Sequence, residues 1–74
     1  MDSAIDRLQE LIKTFKDIHA FAVMPDEVTI HCELTSANIE MLQRLDEDYN
    51  IHLTDVGIVY QKECNQITNT IIAS

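Results

Sequence analysis

The chain has 74 residues, of which 46% are hydrophobic, with a single glycine and a single proline. This composition predicts one folded domain over residues 1–74, although a domain of this size buries only about 60% of its unfolded surface and often needs a disulfide, a metal or another chain for support. Thirteen acidic residues against five basic ones give a net charge of −8, which disfavours direct binding to nucleic acid or to a membrane surface.

The first predicted element is an amphipathic helix over residues 3–16, with Asp2 or Ser3 as its cap. Its apolar residues recur at the spacing of one helical face: Ala4, Ile5, Leu8, Leu11, Ile12 and Phe15. Lys13 and Lys16 fall in the last turns, where a cation interacts favourably with the exposed carbonyl groups.

A β-hairpin is predicted next, with strands over residues 20–24 and 28–34 joined by a turn at 25–27. The second strand alternates apolar and polar residues, which indicates one buried and one exposed face. Neighbouring residues on a strand point to opposite faces, so His31 and Cys32 cannot bind one metal ion together. Cys32 is interpreted as a small core residue.

The second half of the chain repeats this order of elements. Thr35 and Ser36 cap a second helix, whose apolar stripe is formed by Ile39, Leu42, Leu45 and Tyr49. Strands follow over residues 51–61 and 66–73, with a polar turn at 62–65. The fold predicted from this αββαββ order is a two-layer α+β domain, with a four-stranded antiparallel sheet and two helices on one face.

Metal binding and catalysis receive little support from the sequence. The possible ligands His19, His31, His52 and Cys64 show none of the short spacings that build most structural zinc sites. A single glycine cannot form a phosphate-binding loop, and no nucleophile has an evident base or oxyanion donors. We therefore predict no metal, no cofactor and no catalytic residue, and hence a protein that is not an enzyme.

The cellular compartment is predicted from the start of the chain and from the cysteines. The first residues contain neither a basic segment nor an apolar segment of the kind that directs export. Two cysteines without an export signal are expected to remain reduced thiols. A cytoplasmic location follows as the prediction.

The predicted end of the second helix carries an unfavourable run of charge. Asp46, Glu47 and Asp48 lie beside the negative end of the helix dipole, where each carboxylate costs on the order of 0.3–1 kcal/mol. Glu40 is predicted on the same exposed side of this helix. A local cost without an evident local gain is typical of a functional surface, so these four residues are predicted to bind a partner, with a merely solvated charge run as the competing interpretation.

These observations predict a small acidic protein-interaction module that docks a basic protein surface. One alternative is a DNA-mimic inhibitor or decoy, which presents carboxylates where a nucleic-acid-binding protein expects phosphates. A module that binds a small regulatory ligand is a further alternative. Strands that are apolar on both faces also predict a homodimer through the outer sheet face, with Val59 and Ile72 in the interface.

Overall fold

The α+β class is confirmed by a computed structural model, which describes residues 3–45 and 49–74. Within these residues the chain forms two helices and five strands. In chain order they are α1 (Ala4–Thr14), β1 (Ile18–Met24), β2 (Glu27–Cys32), α2 (Ser36–Leu45), β3 (Asn50–Thr54), β4 (Gly57–Cys64) and β5 (Ile67–Ala73).

The five strands form one mixed sheet in the order β1-β2-β5-β4-β3. β2 and β5 are parallel, and the other neighbouring pairs are antiparallel. The prediction of four antiparallel strands is therefore wrong in both number and direction. The reason is the route of the chain: α2 carries it from β2 to the far edge of the sheet, where β3 runs parallel to β2. Two successive hairpins then bring β5 back beside β2.

The missed strand arises from a turn inside the segment predicted as one strand over residues 51–61. Thr54 stabilises this turn, because its hydroxyl accepts the N–H of Val56 and donates to the carbonyl of Gly57. Gly57 has φ +129°, and a Cβ added there would lie 2.3 Å from the carbonyl oxygen of Ala73. Only glycine fits this position, so the glycine marks the start of β4.

The last hairpin turn also lies later than predicted. β4 continues through residues 62–64, and the turn consists of Asn65 and Gln66. Both residues have positive φ, 53° and 66°, as the tight two-residue hairpin turns with a matching twist require. Asparagine adopts this conformation more readily than most residues, whereas glutamine gave no such signal.

Both helices pack on one face of the sheet and share one core. The buried apolar residues of that core are Ala4, Leu8, Leu11, Phe15, Val28, Ile30, Cys32, Leu42, Tyr60, Ile67, Ile71 and Ala73. Cys32 is thus confirmed as a core residue, and Ser3 is confirmed as the cap of α1 because its side chain accepts the N–H of Asp6. Ile5, Ile12 and Ile39, predicted on buried helix faces, are instead 60%, 41% and 39% exposed.

A buried asparagine connects the start of α2 to two other parts of the fold. The Asn38 side chain is 1% exposed. Its Oδ1 accepts the N–H of Lys16 at 2.9 Å, and its Nδ2 donates to the carbonyls of Lys16 at 2.6 Å and Glu33 at 2.8 Å. Thr35 caps the helix as predicted, since its hydroxyl accepts the N–H of Asn38. The position of α2 is therefore fixed by polar contacts as well as by the apolar core.

Candidate interaction surfaces

The predicted partner-binding cluster is only partly described by the structure. Asp46, Glu47 and Asp48 lie outside the described residues; along the chain they join the end of α2 to the start of β3. Glu40 lies on the exposed side of α2, and its carboxylate is 3.4 Å from the guanidinium of Arg44, one turn later. Both side chains are about two-thirds exposed, so this ion pair contributes little to stability, and Glu40 remains accessible to a partner.

The strand that follows this cluster forms one edge of the sheet and exposes large apolar side chains. All five residues of β3 are exposed. Leu53 is 86% exposed, more than any other large hydrophobic residue described, and Ile51 is 50% exposed. Both lie on the helix-bearing face, because they pair with Ile58 and Tyr60, which pack in or against the core. An apolar edge strand of this kind can pair with an added strand.

The charges around β3 are mainly negative. Asp55 is exposed in the turn after the strand, and the acidic run 46–48 precedes it along the chain. One cation lies nearby: the ammonium of Lys62 is 5.6 Å from the centre of the Tyr49 ring. Ile51 and Leu53 were not predicted as interface residues because residues 51–61 were predicted as a single strand. That prediction missed the turn after Thr54 and therefore the separate edge strand β3. The signal that could have revealed them was Gly57.

The outer face of the sheet brings the two predicted dimer residues together. Val59 and Ile72 pair across β4 and β5, and both are half-buried. The same row of side chains continues to His31 on β2 and His52 on β3. Polar residues therefore flank this apolar pair on both sides, which makes it a narrow contact surface.

The opposite edge of the sheet is formed by β1, which contains no charged residue. Six of its seven residues are exposed, including Phe21 at 59%, Val23 at 40% and Met24 at 56%. Two concavities adjoin this edge. One of about 490 Å³ is lined by residues of α1 and β1, and one of about 540 Å³ is lined by the starts of α1 and β5, the end of β1 and the turns at 25–26 and 65–66. Among the residues that line them, the larger concavity has one carboxylate, Asp26, and the smaller has one histidine, His19. Neither therefore provides a paired acid and base for catalysis.

The possible metal ligands are separated by the fold. His31 and His52 share the outer face but are three strands apart, roughly 14 Å at the usual strand spacing. Cys64 lies on the opposite face, where its sulfur accepts a hydrogen bond from the guanidinium of Arg7 at 3.3 Å. No group of three or more His, Cys, Asp or Glu side chains suited to a metal occurs among residues 3–45 and 49–74.

Five of the described carboxylates lie at opposite ends of the sheet. Asp17, Glu33 and Asp55 lie at the end where β2 and β3 finish, whereas Asp26 and Glu63 lie at the end where β2 begins. A decoy that imitates DNA needs carboxylates spread along one continuous face. These five residues do not form such a face.

In the part of the chain that the structure describes, neither helix is long and apolar enough to cross a membrane. Comparisons of the chain with protein-family models, with curated proteins and with solved structures found no match. The surfaces described above are therefore the basis for any functional proposal.

Proposed function

We propose that this protein is a cytoplasmic, non-enzymatic interaction module that binds a basic segment of a partner protein at the β3 edge. The observation that carries the proposal is the exposure of Leu53, 86%, on an edge strand between acidic residues. An apolar side chain in this position gains free energy only when another surface covers it. The flanking acids, residues 46–48 and Asp55, then select a partner of opposite charge.

Two kinds of contact are combined in this proposal. The free backbone groups of β3 pair with an extended segment of the partner, and Ile51 and Leu53 contact its apolar side chains. Carboxylates at both ends of the strand attract lysine or arginine residues of the partner, which raises the association rate at low salt. In this proposal the partner is attracted electrostatically by the acids predicted to bind it, Glu40 and residues 46–48. The edge strand provides the affinity.

The experiment is a binding titration with synthetic peptides of about ten residues, read by fluorescence anisotropy. One peptide alternates apolar and basic residues; a second replaces each basic residue with glutamate, and a third is a scrambled basic sequence. We expect the first to bind most tightly, and its affinity to fall as salt rises from roughly 50 to 500 mM, because screening shortens the reach of exposed charges.

Two variants and a matched control locate the site. Leu53→Lys removes the apolar contact, and a triple variant, Asp46→Asn with Glu47→Gln and Asp48→Asn, removes the acidic run; both should weaken binding. The control, Asp17→Asn with Glu27→Gln and Glu33→Gln, changes the net charge equally but at exposed positions near β1 and β2, away from the β3 edge. Equal loss in control and triple variant, or full affinity in Leu53→Lys, would place binding elsewhere.

A further inference from the structure

β3 presents different residues to the two faces of the sheet. Ile51 and Leu53 lie on the helix-bearing face, so the residues that alternate with them, Asn50, His52 and Thr54, lie on the outer face. His52 is the central residue of the strand, and it is exposed. An extended segment that pairs with β3 therefore passes directly beside the His52 imidazole.

A partner strand shares this division between faces. Residues directly opposite each other on neighbouring strands point to the same face, with Cβ atoms about 4.5–5.5 Å apart. In a segment that alternates apolar and basic residues, the apolar side chains cover Ile51 and Leu53, so the basic side chains lie on the outer face. The residue opposite His52 is then a lysine or an arginine.

The sheet around His52 leaves its imidazole without a charged neighbour on the outer face. The nearest outer-face residues of β4 are uncharged: Val59 directly opposite, with Gly57 and Gln61 two positions away along the strand. Glu63 and His31 share this face, but each lies roughly 14 Å away by strand geometry. Among the described residues, the imidazole forms neither a hydrogen bond nor an ion pair. A charge on His52 therefore acts chiefly on the partner strand.

The remaining charges at this edge are of residue types that do not respond to mild acid. They are Asp55 in the turn after β3, the acidic run 46–48 before it, and Lys62, which lies on the helix-bearing face. Such side chains ordinarily titrate near pH 4 or above about pH 10. Histidine is the side chain whose charge ordinarily changes between about pH 5 and 8. Mild acid therefore adds a positive charge at the centre of β3.

We propose that protonation of His52 lowers the affinity of the β3 edge for its basic partner, so that binding is strongest at neutral pH. This effect presupposes the proposed function, since it concerns the same strand and the same partner. A cationic imidazole opposite a lysine or an arginine is a pair of like charges, and such a pair across neighbouring strands is destabilising. Leu53 and the flanking acids still contact or attract the partner, so the affinity falls by a limited factor.

Anisotropy titrations with the apolar–basic peptide, its termini blocked, test the proposal at about pH 7.5 and 5.5 and a fixed ionic strength of roughly 150 mM. The dissociation constant of the unaltered protein should be about two- to fivefold higher at the lower pH, as one like-charge pair implies. His52→Gln should lose most of this response. His31→Gln, on the same face but three strands away, is the matched control and should keep it.

A charge series at position 52 tests the direction of the effect without a change of pH. Relative to His52→Gln at about pH 7.5, His52→Lys should weaken binding and His52→Glu should strengthen it, each about two- to fivefold. Equal affinity of the unaltered protein at both pH values, or an undiminished response in His52→Gln, would overturn this proposal and leave the proposed function standing. Absence of binding at neutral pH would overturn both.

Discussion

Removing the Asn38 side chain is expected to destabilise the domain more than any exposed substitution. In the native protein the Asn38 side chain bonds the N–H of Lys16 and the carbonyls of Lys16 and Glu33 at 2.6–2.9 Å. In Asn38→Ala these three backbone groups lose their partner. A buried polar group left unpaired costs about 1–3 kcal/mol. Both of these residues are themselves exposed, so water reaches part of the vacated site and the lower part of that range applies. At about 1 kcal/mol for each of the three unpaired groups, we expect a total loss of about 3 kcal/mol.

This loss is large relative to the stability of such a small domain, which at 0.05–0.15 kcal/mol per residue amounts to about 4–11 kcal/mol. Urea denaturation followed by circular dichroism measures it directly. Hydrogen exchange of the Lys16 amide provides a local readout, because that amide loses its acceptor. Gln43→Ala, on the exposed side of the same helix, is the matched control and should change stability by less than about 0.5 kcal/mol.

Asn38→Asp separates the donor and acceptor roles of the side chain. The carboxylate still accepts from the Lys16 N–H, but it cannot donate and it places a negative charge against two carbonyl oxygens. It should therefore destabilise the protein at neutral pH despite its nearly identical shape. If Asn38→Ala lowered the free energy of unfolding by less than about 1 kcal/mol, the view of Asn38 as the polar anchor of α2 would be wrong.

Three further predictions concern the thiols, the acidic run and the histidines. Burial raises the pKa of the Cys32 thiol, so this thiol ionises at lower pH in the unfolded chain than in the folded one. The free energy of unfolding should therefore fall as the pH rises above the ordinary thiol pKa of about 8.5. Urea titrations at pH 8 and 10 measure this fall, which should be smaller in Cys32→Ala. Neutralising residues 46–48 to their amides should raise the free energy of unfolding by roughly 1 kcal/mol in the same assay, and no gain would contradict the dipole cost. Equilibrium dialysis against zinc should leave no stoichiometric metal; tight retention lost in His52→Ala would contradict the separation of the ligands.

The elements that the sequence predicts well are those with strong periodicity. Both helices and the alternating strand β2 follow from their apolar spacing, because burial of one face dominates the local free energy. Asn38 was missed although it lies four residues before Leu42, on the same helical stripe. A polar residue at a core position of that stripe is a signal for a buried hydrogen-bonded anchor, and Ile39 was assigned to the core in its place.

The sheet order could not be read from local pattern. Strand pairing depends on the route of the chain after α2, and neither β2 nor β5 carries a residue that specifies a parallel neighbour. The burial of five of the seven β5 residues marks a central strand only once the fold is known. For the same reason the two edge strands, including the β3 edge on which the proposed function rests, were not recognised: an edge is a property of the whole sheet.

Hydrogen exchange measured with and without the apolar–basic peptide tests most directly whether the β3 edge binds a basic partner. We predict that the peptide slows exchange of backbone amides in Asn50–Thr54, while exchange in Ile18–Met24 stays unchanged. Protection of β1 by the peptide, or unchanged exchange in β3, would contradict the assignment of the β3 edge to a basic partner.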